Sequence, residues 1–221
     1  MSRDRLPSST HPFSLLAAWA VLAALAGGCD TFRGGRSCRL GDEHVVQLTR
    51  AKEIDAIAVV ALAGSTFAFW SEPEGAFGRT LDGEGKPVGA VVRLGSRCAG
   101  GLAAVADAAK GALVLACSTH PDAGSVGGVR VLRLDSALRV HGTHELAPIG
   151  AQSEGLGAVI VAGRLHVVWH DGSAEVQRVW WATLDADDHV IDAPRALSEP
   201  ARIASSPSIA AQRGHSVATW S

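Results

Sequence analysis

An internal repeat constrains this chain more than any other feature of it. A glycine, five residues and then an anchor occur four times, at Gly64 and Trp70, Gly111 and Cys117, Gly163 and Trp169, and Gly214 and Trp220. Each anchor is followed by Ser or His: Ser71, Ser118, His170 and Ser221. A Leu-Asp pair comes further along, at Leu81-Asp82, Leu134-Asp135 and Leu184-Asp185, and beyond it a second leucine at Leu94, Leu146 and Leu197. Only the segment between anchor and Leu-Asp varies in length, as a loop should. A period of about fifty residues means stacked copies of one supersecondary unit, none of which can bury its apolar surface alone.

The unit reads as β structure. Apolar, β-branched and aromatic runs such as 66–70, 112–117 and 165–169 are bounded by Gly, Asp, Ser or Pro. Another apolar run precedes the repeated glycine, at 57–62 and 158–161, and glycine suits a hairpin turn that needs positive φ. Residues 129–134 and 179–184 supply a third strand. The Leu-Asp pair opens a turn, as in Asp82-Gly83-Glu84-Gly85, and a fourth short strand ends near the second leucine.

Four antiparallel strands per fifty residues resemble the blade of a β-propeller. The resemblance implies an all-β chain, an incomplete β-propeller-like array of four-stranded antiparallel blades over residues 44–221. A β-sandwich is the alternative, because it too uses short strands with regular turns. Strict periodicity favours the propeller. Val45-Val46-Gln47-Leu48 matches Val91-Val92-Arg93-Leu94, so it reads as the outer strand of a further blade. Three full units with partial units at both ends fall short of the four to eight blades of an ordinary propeller. The expectation is therefore a truncated or interrupted longer array, with exposed strand edges.

Residues 1–28 have the layout of a secretory signal: Arg3 and Arg5, an apolar run over 15–26, then Gly27 and Gly28. The run is too short for a bilayer-spanning helix, which takes roughly 20 residues. Leu25-Ala26-Gly27-Gly28-Cys29 resembles the lipobox of bacterial lipoproteins, although that family prefers Leu where Ala26 stands. The resemblance implies cleavage before Cys29, lipid on its sulfur, a linker over 29–43, and a membrane partner on the extracytoplasmic side of a bacterial envelope. Asp30 resembles an inner-membrane retention signal, but which membrane stays open. Export implies an oxidising compartment. Cys98 stands just before one expected strand and Cys117 near the end of the next, which makes them the first choice for a disulfide and leaves Cys38 over. The alternative is that Cys117 is a small buried hydrophobe.

Chemistry is harder to find. A net charge of −2 lacks the basic excess that nucleic acid demands. No cofactor motif occurs, and no Cys/His set has metal-ligand spacing. Trp70, Trp169 and Trp220 share one repeat position, which points to core packing. Trp180 and Trp181 are adjacent on a strand and so point to opposite faces; the more exposed one is the ligand-contact candidate. His166 and His170 share a face but lack a third ligand. Asp185, Asp187 and Asp188 fall in the repeated turn and miss the full calcium-loop pattern. His170-Asp171 and Ser173 hold the residue types of a triad without an elbow motif. Ser216-Val217-Ala218-Thr219-Trp220 lacks the Asp and Gly of a sialidase box. These readings add up to an anchored binding or scaffold module for an envelope protein or a glycan. The alternative is part of a propeller-fold hydrolase acting on polysaccharide.

Overall fold

A computed structural model describes residues 47–50, 53–95, 98–119, 127–146, 153–171, 177–200 and 203–221. The signal-like segment, Cys29, Cys38 and the 29–43 linker lie outside the described residues, as does Ser173.

Blade one is β1 (Ala56–Leu62), β2 (Ser65–Glu72), β3 (Gly75–Leu81) and β4 (Pro87–Gly95). Blade two is β5 (Cys98–Asp107), β6 (Ala112–Thr119), β7 (Gly128–Leu134) and β8 (Val140–Leu146). Blade three is β9 (Ser153–Val161), β10 (Arg164–Asp171), β11 (Val179–Leu184) and β12 (Val190–Ala196), and β13 (Ser208–Gln212) and β14 (His215–Thr219) form a two-stranded fourth sheet. Every pairing is antiparallel and joins strands consecutive in sequence.

The repeated residues set the turns. Ala63-Gly64, Ala162-Gly163 and Arg213-Gly214 carry φ of 50 and 82, 50 and 75, and 48 and 81 degrees. Two successive positive φ values make the tight turn whose twist matches paired strands. Each Leu-Asp aspartate closes the turn between third and fourth strands. Asp82 Oδ1 accepts the N–H groups of Glu84 and Lys86, both at 2.9 Å. Asp135 accepts those of Ala137 and Arg139 at 2.9 Å, and Asp185 those of Asp187 and His189 at 2.8 and 2.9 Å.

Alternation along each second strand then splits the core between two interfaces. Leu113, Leu115 and Cys117 of β6 join Phe67 and Phe69 of blade one. Val114 and Ala116, on the other face of the same strand, join Leu165, Val167 and Trp169 of blade three. A sheet buried on both faces reads as a nearly continuous apolar run, as these strands do. The first strands lie beside one another in the order β1, β5, β9, β13, which makes them the innermost strands of the stack. This is a stack of faces, and the propeller expectation holds over the sandwich.

Two expectations need correction. Gln47 and Leu48 are not in a strand; Arg79 Nη1 holds the Leu48 carbonyl at 3.3 Å beside blade one. Trp70 and Trp169 are core residues, each 1% exposed, but Trp220 is 43% exposed. It stands one residue past β14, which among the described residues pairs with β13 alone.

Candidate functional site

Register places the two adjacent tryptophans of β11 opposite Trp169 and Val168 respectively, one on each face of blade three. Trp180 packs into the interface with blade two, and the Arg178 guanidinium lies 5.4 Å from its ring centroid. Trp181 takes the other face and is half-buried there. Its ring centroid is 5.0 Å from that of His166, tilted by 44°, and its Nε1 donates to Thr183 Oγ1 at 2.9 Å. His166 Nδ1 lies 3.1 Å from the same hydroxyl. Burial lowers the His166 pKa, Arg164 adds to the fall and Asp192 opposes it.

A groove of about 380 Å³ opens beside this cluster, between the turns of blade three and of the β13–β14 hairpin. Arg164, His166, His215 and Ser216 line it, with Val161, Ala162 and Gly214. Its size suits a small ligand. Imidazole, hydroxyl and guanidinium groups line the groove, and of the His166–Trp181 ring pair only His166 does. Among the described residues that line it there is no carboxylate.

Two acidic residues belong to the chain where its first strands begin. Asp55 immediately precedes β1, is exposed, and donates its backbone N–H to the Ser71 carbonyl at 3.1 Å. Glu154 is the second residue of β9, opposite His170 in register. The first strands of blades one and three run the same way along the repeat, so Asp55 and Glu154 stand at the same end of it. That end is tightly built. Ser71, Ser118 and His170, the residues after the anchors, are all buried. Gly155 has φ of 54 degrees, and a Cβ added there would lie 2.7 Å from His170 Nδ1 and 3.0 Å from Pro207 Cδ. Sequence reasoning missed Asp55 and Glu154 because neither belongs to a repeated mark; only register brings them to one end.

The remaining sequence candidates separate. His166 bonds to Thr183 and His170 packs on Gly155, and among the described residues no group of three or more His, Cys, Asp or Glu is placed to hold a metal. Asp185 and Asp187 serve the turn. Asp188 accepts from Arg133 Nε at 2.6 Å, while Arg133 Nη1 donates to Asp107 Oδ2 at 3.0 Å. This acidic cluster therefore joins blade two to blade three. Cys98 and Cys117 are joined by a disulfide with their Cα atoms 5.3 Å apart.

No protein-family model matches the chain, and no curated protein matches it by sequence. Solved structures do match it in shape. They include a thermostable family-43 glycoside hydrolase, with TM-score 0.52 and 10% identity over 71% of this chain. An endo-1,4-beta-xylanase from Bacteroides thetaiotaomicron gives 0.54 and 11% over 76%, and the GH43_1 enzyme from Xanthomonas citri complexed with xylose gives 0.50 and 17% over 76%. The architecture is a β-propeller-like array. This chain spans less than two thirds of the length of each of these proteins, at 61%, 65% and 62%. The likeness is one of fold. It nonetheless corrects the expectation of a binding or scaffold module, because these three structures are glycoside hydrolases and favour the alternative stated for the sequence.

Proposed function

We propose that this chain is part of a propeller-fold hydrolase acting on polysaccharide, held at the extracytoplasmic side of a bacterial envelope by lipid on Cys29. The stack of four-stranded blades, an architecture found in glycoside hydrolases, carries the reading. Asp55 and Glu154 are the carboxylates we assign to the chemistry. In glycoside hydrolysis one such group protonates the leaving oxygen, while the other activates water or attacks the sugar carbon itself. The groove lined by Arg164, His166, His215 and Ser216 adds a sugar contact.

Xylan and arabinan are the substrates to offer the purified full chain, with new reducing ends as the readout. Hydrolysis is expected, and it should fall by about 100-fold or more in Asp55→Asn and in Glu154→Gln. Full activity in both variants removes the assignment of the carboxylates, and a folded chain that cleaves neither these nor any envelope glycan removes the function.

The anchor rests on separate support. The lipobox-like run at 25–29 carries the reading of lipidation, and a disulfide between Cys98 and Cys117 suits an oxidising compartment. Globomycin should make a larger precursor accumulate in expressing cells, and Cys29→Ala should abolish that response. A precursor indifferent to the drug in the parent chain would exclude lipidation.

A further inference from the structure

Aligned on the turn glycine, the repeats agree three residues further on in every case but one. Phe67 and Val114 stand there in blades one and two, both buried and each part of the cluster that joins its blade to the next. Val217 takes the place in the last hairpin, but blade three has His166. A half-buried imidazole where the repeat calls for an apolar side chain is a cost to packing, so the position serves something else. The residue directly after the glycine departs as well. It is Ser65 and Ala112 in the first two blades, and Arg164 and His215 in the last two units. Leu165 and Val167 point into the cluster with blade two, which puts Arg164 and His166 together on the opposite face of the sheet. Both departures meet in one place, the groove lined by Arg164, His166, His215 and Ser216.

We propose that this groove is a subsite for an acidic sugar, with the carboxylate of a uronic acid held by Arg164 and the ring hydroxyls by His166, His215 and Ser216. A guanidinium meets a carboxylate through two parallel N–H···O bonds, a match of shape as well as charge. Burial holds His166 below its ordinary pKa, with Asp192 opposing the fall and Arg164 adding to it, so the fixed positive charge lining the groove is that of Arg164. One such charge balances one carboxylate, whereas a phosphate monoester brings nearly two negative charges. Asp192 stands opposite Thr183 on β12 and is not among the lining residues. A volume of about 380 Å³ has room for a sugar ring and its acid group. The groove lies at the far end of the first strands from Asp55 and Glu154, because Arg164 and His215 follow the turns in which β9 and β13 end. It therefore holds an acidic unit of the glycan away from the bond being cut. The sugar class rests on the hydrolase reading; the preference for a carboxylate does not.

Methyl glucuronide and methyl glucoside differ only in the acid group, so titrating the full chain with each isolates the carboxylate. NMR shifts of the His166 and His215 rings report affinity and place together. The glucuronide should move both rings and bind at least about tenfold tighter than the glucoside. Arg164 is exposed, so Arg164→Gln leaves the fold intact, and it should abolish the preference. Ser216→Asp sets a carboxylate in the groove and should weaken glucuronide binding by about tenfold or more. Equal affinity for the two sugars overturns the proposal, as does a preference that survives Arg164→Gln or leaves both rings unmoved. Inorganic phosphate that displaces the glucuronide at a lower concentration than the sugar itself also overturns it, by assigning the groove to free phosphate. Hydrolysis fails or succeeds separately. A chain that cleaves xylan without preferring the glucuronide loses the subsite alone, and one that prefers it through Arg164 but cleaves no glycan keeps the subsite and loses the hydrolase.

Discussion

Three aspartates do one job three times, and each is visible in the sequence because a turn that must cap two N–H groups admits few residue types. Asp135 shows the electrostatic result. The Arg139 backbone N–H, the His141 imidazole at 3.0 Å and the Arg139 guanidinium at 2.7 Å together hold its carboxyl well below the usual range, against a smaller opposing effect of desolvation. Asp185 is lowered in the same direction, first by the His189 N–H. A folded pKa below the unfolded value of about 3.9 gives stability that is complete above that value and is lost as pH falls through the folded one. Asp135→Ala should therefore lower the urea midpoint at neutral pH, and its gap to the parent should narrow below about pH 4. A gap that stays constant down to about pH 3 would mean that the charged form contributes nothing. The same logic explains what could not be read at this scale. Asp55 and Glu154 satisfy no local rule of turn or period, so nothing in a linear sequence separates them from the other acidic residues.

At the scale of elements, the strands were legible because their apolar runs and turn glycines agree with one another. Two hairpin positions test how far that agreement carries energy. Gly163, at φ of 75 degrees with nothing within 4 Å of an added Cβ, pays only backbone strain on substitution, so Gly163→Ala should cost about 1 kcal/mol. Gly155 adds a collision with the buried His170 ring, and Gly155→Ala should cost clearly more. Equal losses in urea denaturation would show that the inner end of blade three relaxes freely. The segment at 47–48 illustrates the limit of such reading. Its alternation resembles a strand, yet a strand exists only where a neighbour accepts its hydrogen bonds, and periodicity does not name the neighbour.

At the scale of the whole molecule, the joins between blades matter most. Arg133 of β7 bridges Asp107 of its own blade and Asp188 in the turn of blade three, with all three side chains largely shielded from water. Lys110 Nζ adds a contact to the Ala186 carbonyl of that same turn. Arg133→Met would leave two carboxylates facing one another without a cation, at a cost of about 3–5 kcal/mol. Asp188→Ala keeps the Arg133–Asp107 pair and should cost less, and adding Asp188→Asn to Arg133→Met should recover part of the loss. An additive double mutant would mean that the bridge does not couple the two blades.

Every pairing described within these sheets joins neighbours along the chain. Little loop entropy has to be given up before each pair gains its hydrogen bonds, so a sheet can assemble as soon as its own residues are available. What such wiring leaves to contacts between more distant parts of the chain is the docking of one sheet face on the next.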